Sequence, residues 1–259
     1  MPERADIFRR ADGAEALPRL GGMARPNGVV IVSERYWAFA TRSGQLHEGE
    51  LPPRESRAAR IPLVRGLLQL AASMTPLLRG RGVAGKRERF ILLAALIGPL
   101  FFVALPGPLV MPAGLVATAL LLMFLFRGRT LRLHGAEHRA IAAVEERRLT
   151  ETWMGAARPT RFATRCGTNF AALALPVTAF FDWLVPLGAL PAVGGVAVAV
   201  FSLGVTMELW KAVQHPSGLL RGLLLPGLAL QRLTTREPAL DDTRVAMTAV
   251  ASVLRRELA

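Results

Sequence analysis

The chain has 259 residues, is 52% hydrophobic and carries a formal charge of +13, nearly all of it from arginine, since lysine occurs only at Lys86 and Lys211. The cations flank apolar runs instead of forming one continuous patch, which argues against nucleic acid and for a lipid bilayer as the partner. Cys166 is the single cysteine, which excludes an internal disulfide and points to reducing surroundings.

Residues 1–20 are polar and Arg-rich and are expected to form a flexible basic tail. The start, Met1 to Asp6, is charged with no apolar run behind it, so it does not resemble a secretory signal peptide. Residues 21–55 carry β-branched and aromatic runs, Val29 to Val32 and Tyr36 to Thr41, around a Ser43-Gly44 turn. They predict a hairpin or three-stranded sheet, with Gln45 to Leu51 as the third strand and Pro52-Pro53 closing it. In residues 56–89 the stretch Ile61 to Leu78 is apolar but interrupted by Arg65, Gln69 and Pro76. That pattern fits a helix in a membrane interface or one packed on the protein itself.

Residues 90–126 are almost uninterrupted hydrocarbon, broken at Leu105-Pro106-Gly107-Pro108. A crossing needs about 20 residues, so the run predicts a hairpin of two short helices, 90–105 and 109–126. Residues 170–210 repeat the arrangement around Gly188 to Pro191. Arginines and lysines flank both hairpins, which places the flanks and both termini in the cytoplasm. The expected fold class is a mainly α integral membrane protein. It has about four short transmembrane helices in two hairpins, interfacial helices, and a small N-terminal β-sheet on the cytoplasmic side. Residues 211–259 add a short apolar stretch, Gly218 to Leu230, and an amphipathic helix from Asp241 to Leu258. The predicted location is a bacterial inner membrane, with further membrane subunits or a second copy of the chain as possible partners.

Between the hairpins, residues 127–169 hold the run His134-Gly135-Ala136-Glu137-His138. On a helix, positions i, i+3 and i+4 share one face. The same His-x-x-Glu-His spacing holds zinc in inverzincin proteases, with a carboxylate beside the bound water. If both hairpins open to one side, Cys166 and Glu208 arrive at the same surface as this run. The candidate metal ligands are therefore His134, His138, Glu208 and Cys166, the candidate general base is Glu137, and the expected cofactor is a divalent metal, Zn²⁺. The alternatives are a solvated charged helix face for the histidines and an i,i+3 pair with Lys211 for Glu208. The segment Gln231 to Pro238 offers a polar pocket lining through Arg232 and Arg236, or a linker to a helix that Asp241 caps.

Several of these pieces lie in one order: Gly21-Gly22, His134 to His138, Arg165-Cys166-Gly167-Thr168, Glu208, and Leu230 to Pro238. Together they resemble the bacterial membrane family DUF1385, which is described as a predicted metal-dependent enzyme. The resemblance implies a membrane location and a metal site, and it supplies no substrate. Three positions depart from the family pattern: Ala163-Thr164 stands where a histidine and a proline are usual, and Asn27 where a glutamate is usual. The resulting expectation is zinc-dependent hydrolysis of a membrane-associated substrate. The alternative is a non-catalytic scaffold or accessory subunit in which the cluster is a hydrogen-bonded joint.

Overall fold

The computed structural model describes residues 2–52, 60–80, 82–101, 128–184, 192–214 and 219–259, with scattered positions between 109 and 123. Its centre is an antiparallel meander of four strands, β1 (Gly21–Arg25), β2 (Gly28–Val32), β3 (Tyr36–Thr41) and β4 (Leu46–Glu50), in the order β1-β2-β3-β4. The fourth strand arises because residues 21–25 pair with β2, with Gly22 opposite Ile31 and Ala24 opposite Val29.

Strand periodicity sends alternate side chains to opposite faces, and both faces of this sheet are covered. Val29, Ile31, Ala38 and Ala40 point into the larger core. There they meet α5 (Gly128–Glu145) and α10 (Leu240–Glu257), which contribute Leu133, Ala136 and Ala140, and Met247, Val250 and Leu254. Val30, Trp37 and Phe39 point the other way, onto Leu51, Leu77, Val83 and Ala84. Small residues on α5 let its backbone lie close to β1 and α10.

The N-terminal residues are not a loose tail. Helix α1 (Pro2–Asp12) buries Ile7, Phe8 and Ala11, and Phe8 meets Trp153 of α6 (Leu149–Met154) at 5.6 Å between ring centroids. The Asp12 carboxylate accepts bonds from the Leu149 and Thr150 amides at 2.9 Å each, satisfying donors that a helix start leaves open. These apolar positions are spaced too sparsely among arginines to show in composition.

The expected integral membrane architecture is overturned. Among the described residues, no helix is long and apolar enough to cross a membrane. The multi-pass inner-membrane location that rested on spanning helices is withdrawn with it. Helix α4 is described over Lys86–Phe101. Its first turn is charged and tied to the rest of the fold: Glu88 pairs with Arg25 at 2.7 Å, and Arg89 donates to the Gly80 carbonyl at 2.7 Å. Helix α7 (Gly167–Leu184) carries Pro176 in its interior. Helix α8 (Ala192–Val213) has 22 residues, but its last turns hold Glu208 and Lys211. The break at 105–108, the turn at 188–191 and most of the expected helix 109–126 lie outside the described residues.

The expected interfacial helices pack on the protein. Helix α2 (Val64–Ser73), followed by α3 (Thr75–Arg79), lies against α8, where a Cβ on Gly66 would stand 2.6 Å from Met207 Cβ. A 3₁₀ turn (Leu219–Leu224) leads into α9 (Leu225–Thr234), which packs on α7. At the start of α10 it is Asp242, not Asp241, that accepts from the Ala239 amide, at 3.4 Å.

Candidate metal centre

Helix α5 forms because residues 128–145 place small and apolar side chains on the faces that meet β1 and α10. That burial carries Glu137, His138 and Arg139 inward: they are 5%, 1% and 6% exposed. Charged-face placement is therefore excluded for the HGAEH run. Three structures close over it. They are strand β1, the segment 155–166 that enters α7, and the linker 235–239 between α9 and α10.

The linker docks on the first turns of α5. The Arg236 amide donates to the Leu131 carbonyl at 2.9 Å, and a Cβ on Gly135 would collide with the Arg236 carbonyl. Glycine at 135 is thus required by close backbone approach. Docking puts the Thr234 carbonyl 2.8 Å from His134 Nδ1. The Arg161 carbonyl lies 2.7 Å from His138 Nδ1. A carbonyl only accepts, so each imidazole carries its proton on Nδ1 and leaves the Nε2 lone pair free. His138 Nε2 is buried and has no hydrogen-bond partner.

Cys166, just before α7, joins the two histidines. One ligand atom each from His134, His138 and Cys166 lies within 4.8 Å of the others. The thiol is 3.4 Å from His134 Nε2 and receives the Thr168 hydroxyl at 3.1 Å. A tetrahedral zinc with Zn–N of about 2.0 Å and Zn–S of about 2.3 Å spaces its donors by roughly 3.5 Å. The trio is thus one small inward adjustment from that geometry. Two imidazoles held by outer carbonyls plus a thiol, with an orphaned buried nitrogen among them, fit a zinc-class ion.

Glu137 is packed beside this trio with Oε2 at 4.0 Å from His134 Nε2. Its carboxylate rests on the backbone of β1, where a Cβ on Gly22 would stand 2.8 Å from Oε1. Burial pushes the Glu137 carboxyl up to about 8. Burial and then the neighbouring Glu137 charge push the Cys166 thiol up to about 11. Burial, and then His134, push His138 down to about 3, and burial lowers His134 as well. Neutral His134 makes the 4.0 Å approach to Glu137 a contact, not an ion pair.

Glu208 is not brought to this group. Its carboxylate receives Arg65 Nε at 2.9 Å, with a second bond from the same guanidinium, and Lys211 Nζ lies 3.5 Å away. The Arg65 hydrogen bond, with the Lys211 charge, holds Glu208 down to about 2. The i,i+3 pair with Lys211 that the sequence allows is present.

Supporting residues were not evident beforehand. Gln231 is fully buried; it donates to the Ala163 carbonyl at 2.7 Å and accepts from the Ala163 amide at 2.9 Å. Arg139 donates to Pro159 and to Glu237, and Arg161 donates to Thr235. The polar density of 231–238 was the available signal. Its role is to hold the carbonyls that orient the histidines, and Arg232 and Arg236 do not need to line a pocket for it.

The family model described as "Protein of unknown function (DUF1385)" matches residues 89–256. Over 133 residues the chain is 32% identical to an uncharacterized protein, YqhQ, of Bacillus subtilis (strain 168). That match takes in 50% of this chain and 42% of the relative, so it spans under half of the relative's length. No solved structure matches the chain.

Proposed function

The chain belongs to the DUF1385 family, and from that footing we propose that it is a divalent-metal-dependent hydrolase with a His134, His138 and Cys166 ligand set. The observation that supports it best is the convergence of one ligand atom each from His134, His138 and Cys166 inside 4.8 Å, with both Nδ1 atoms fixed by backbone carbonyls. Three protein ligands leave a fourth position for water, the pattern of catalytic as opposed to closed structural zinc sites. A bound zinc ion supplies Lewis acidity and lowers the pKa of its water.

The protein's own groups do the rest. The Cys166 thiol and the Glu137 carboxyl are the two groups that lose protons when a dication is held, and their two negative charges balance it. Glu137 stands outside the ligand trio yet beside it, within 4.0 Å of a ligand nitrogen. From there it takes a proton from the attacking water and returns it to the leaving atom. The bond formed is water oxygen to the electrophilic carbon or phosphorus, and the bond broken is that centre to its leaving group. Metal analysis of the full chain, with the His134→Ala/His138→Ala pair as comparison, tests the reading. About one equivalent of zinc in the wild type and none in the pair is expected; no difference between them overturns it.

A second reading has its own support, since Glu137, His138 and Cys166 are all at least nine-tenths buried. In that reading the metal is a joint that ties α5 to the start of α7. It predicts that Glu137→Gln leaves cellular function intact, whereas His138→Ala lowers protein abundance.

A further inference from the structure

Beside the ligand trio lies a pocket of about 240 Å³ that the proposed chemistry does not use. Its apolar wall includes Leu20, Ile141 and Val144, and its charged rim is Arg19, Glu145, Arg147 and Arg165. We propose that this pocket is an oxyanion subsite, with Arg19 and Arg165 holding a phosphate or carboxylate group of the molecule cleaved at the neighbouring metal centre. This substrate class rests on the hydrolase reading above.

Three arginines and one glutamate line the pocket. Two of the arginines are committed. Arg147 donates to the carbonyls of Ala11, Ala14 and Glu15, and Arg165 pairs with Glu145. Arg19 is exposed and has no hydrogen bond or ion pair among the described residues. Arg19 and Arg165 line the same pocket, and guanidinium forks match oxyanions.

The pocket is continuous in the fold with the ligand trio. His134, His138, Ile141 and Glu145 follow one another at steps of 4, 3 and 4, so they form one stripe of α5. At 1.5 Å per residue, Ile141 and Glu145 stand about 4.5 and 10 Å from His138 along the axis. The facing wall keeps the same pace. Gly22 touches Glu137, and Arg19 precedes it by three residues, roughly 10 Å of extended chain. Arg165 is the residue before Cys166. An oxyanion in the pocket therefore lies about 5–10 Å from the bond being cleaved, which selects substrates whose negative group is several bonds from the reacting centre. Glu145 occupies Arg165 until that group displaces it.

Inorganic phosphate is the probe, titrated into the full chain and followed by ³¹P NMR, once with zinc and once after chelation. Phosphate is expected to bind both forms. Arg19→Ala should weaken it about tenfold, the loss of one charge-assisted contact. Glu145→Gln should tighten it, because Arg165 loses its competing carboxylate. Arg10→Ala, on the surface of α1, should leave it unchanged. No binding to the wild type overturns the subsite, as does an Arg19→Ala protein that binds like the wild type or like Arg10→Ala. Binding that chelation abolishes puts phosphate on the metal, which keeps the hydrolase reading and removes the subsite. Binding that depends on Arg19 in a chain that never takes up zinc keeps the subsite and removes the hydrolase reading.

Discussion

Glu137 and Glu208 are the two carboxylates that the sequence brings forward as parts of one site, and the fold gives them opposite fates. Glu137 is 5% exposed, lies against a strand backbone and two neutral imidazoles, and is pushed up to about 8 by burial. Glu208 meets a guanidinium and an ammonium and is held down to about 2. The difference teaches that a carboxylate is recruited to chemistry by what surrounds it. An acid kept uncharged beside unfilled donor atoms is available to a dication and to a proton; an acid already neutralised by Arg65 is available to neither.

The comparison breaks first at the ligands. His138→Ala should abolish stoichiometric zinc, since losing a ligand exceeds the roughly 10–100-fold cost of losing an outer hydrogen-bonding partner. Glu208→Gln should leave zinc unchanged. Elemental analysis of both proteins after dialysis checks this, and a Glu208→Gln chain without zinc would restore Glu208 to the site. Zinc affinity should also fall as the pH falls, because the Cys166 thiol must ionise to bind.

Next in size is Glu137→Gln in the metal-free protein. The folded pKa of about 8 lies above the usual carboxylate value. Stability is therefore fully present below about pH 4 and is lost as pH rises toward 8, because the unfolded chain ionises freely and the folded one resists. Removing that titration should stabilise the chain by about 4 kcal/mol at pH 8 and leave it nearly unchanged at pH 4. Urea unfolding at the two pH values measures it. Equal effects at both would mean that Glu137 is solvated.

Gly22→Ala tests the wall that keeps Glu137 in place. The new methyl would stand 2.7 Å from Glu137 Cγ and 2.9 Å from the Val30 carbonyl. Overpacking of that kind costs about 1–3 kcal/mol. Gly21→Ala, whose Cβ would meet only Val32 at 3.5 Å, should cost less. A thermal melt of the pair, with zinc content measured alongside, separates a packing defect from a displaced carboxylate.

How much of this was legible follows from where each signal resides. The HGAEH spacing fixes one helix face, and Cys166 joins it, because ligand chemistry is carried by residue type and by period. The carbonyls of Thr234 and Arg161 could not be found, since any residue supplies a carbonyl and only the docked linker aims it. Gly22 was visible as a glycine but not as the neighbour of Glu137, which depends on β1 pairing beside α5. Helix α1 was missed because Ile7, Phe8 and Ala11 make too thin a stripe among arginines. The apolar runs misled for a different reason. Hydropathy counts side chains and cannot see that Glu88 ties one end of α4 to β1 and Arg89 ties it to Gly80, or that Arg65 tethers Glu208 near the end of α8.

The smallest effect belongs to that tether. Glu208 is a quarter exposed and Arg65 nearly half, so solvent screens the pair. Its folded pKa is depressed to about 2, below the unfolded carboxylate value. The pair therefore contributes stability above about pH 4.5 that is lost as pH falls through 2. Glu208→Gln should lower the melting temperature slightly at pH 7 and leave it unchanged near pH 2, the reverse of the pH pattern expected for Glu137→Gln. Lys211→Met should do less than Arg65→Met, because the lysine contact at 3.5 Å is single and the arginine engages both carboxylate oxygens. If Glu208→Gln instead stabilised the protein as pH rose, the two carboxylates would share one environment, and the division of roles between them would fail.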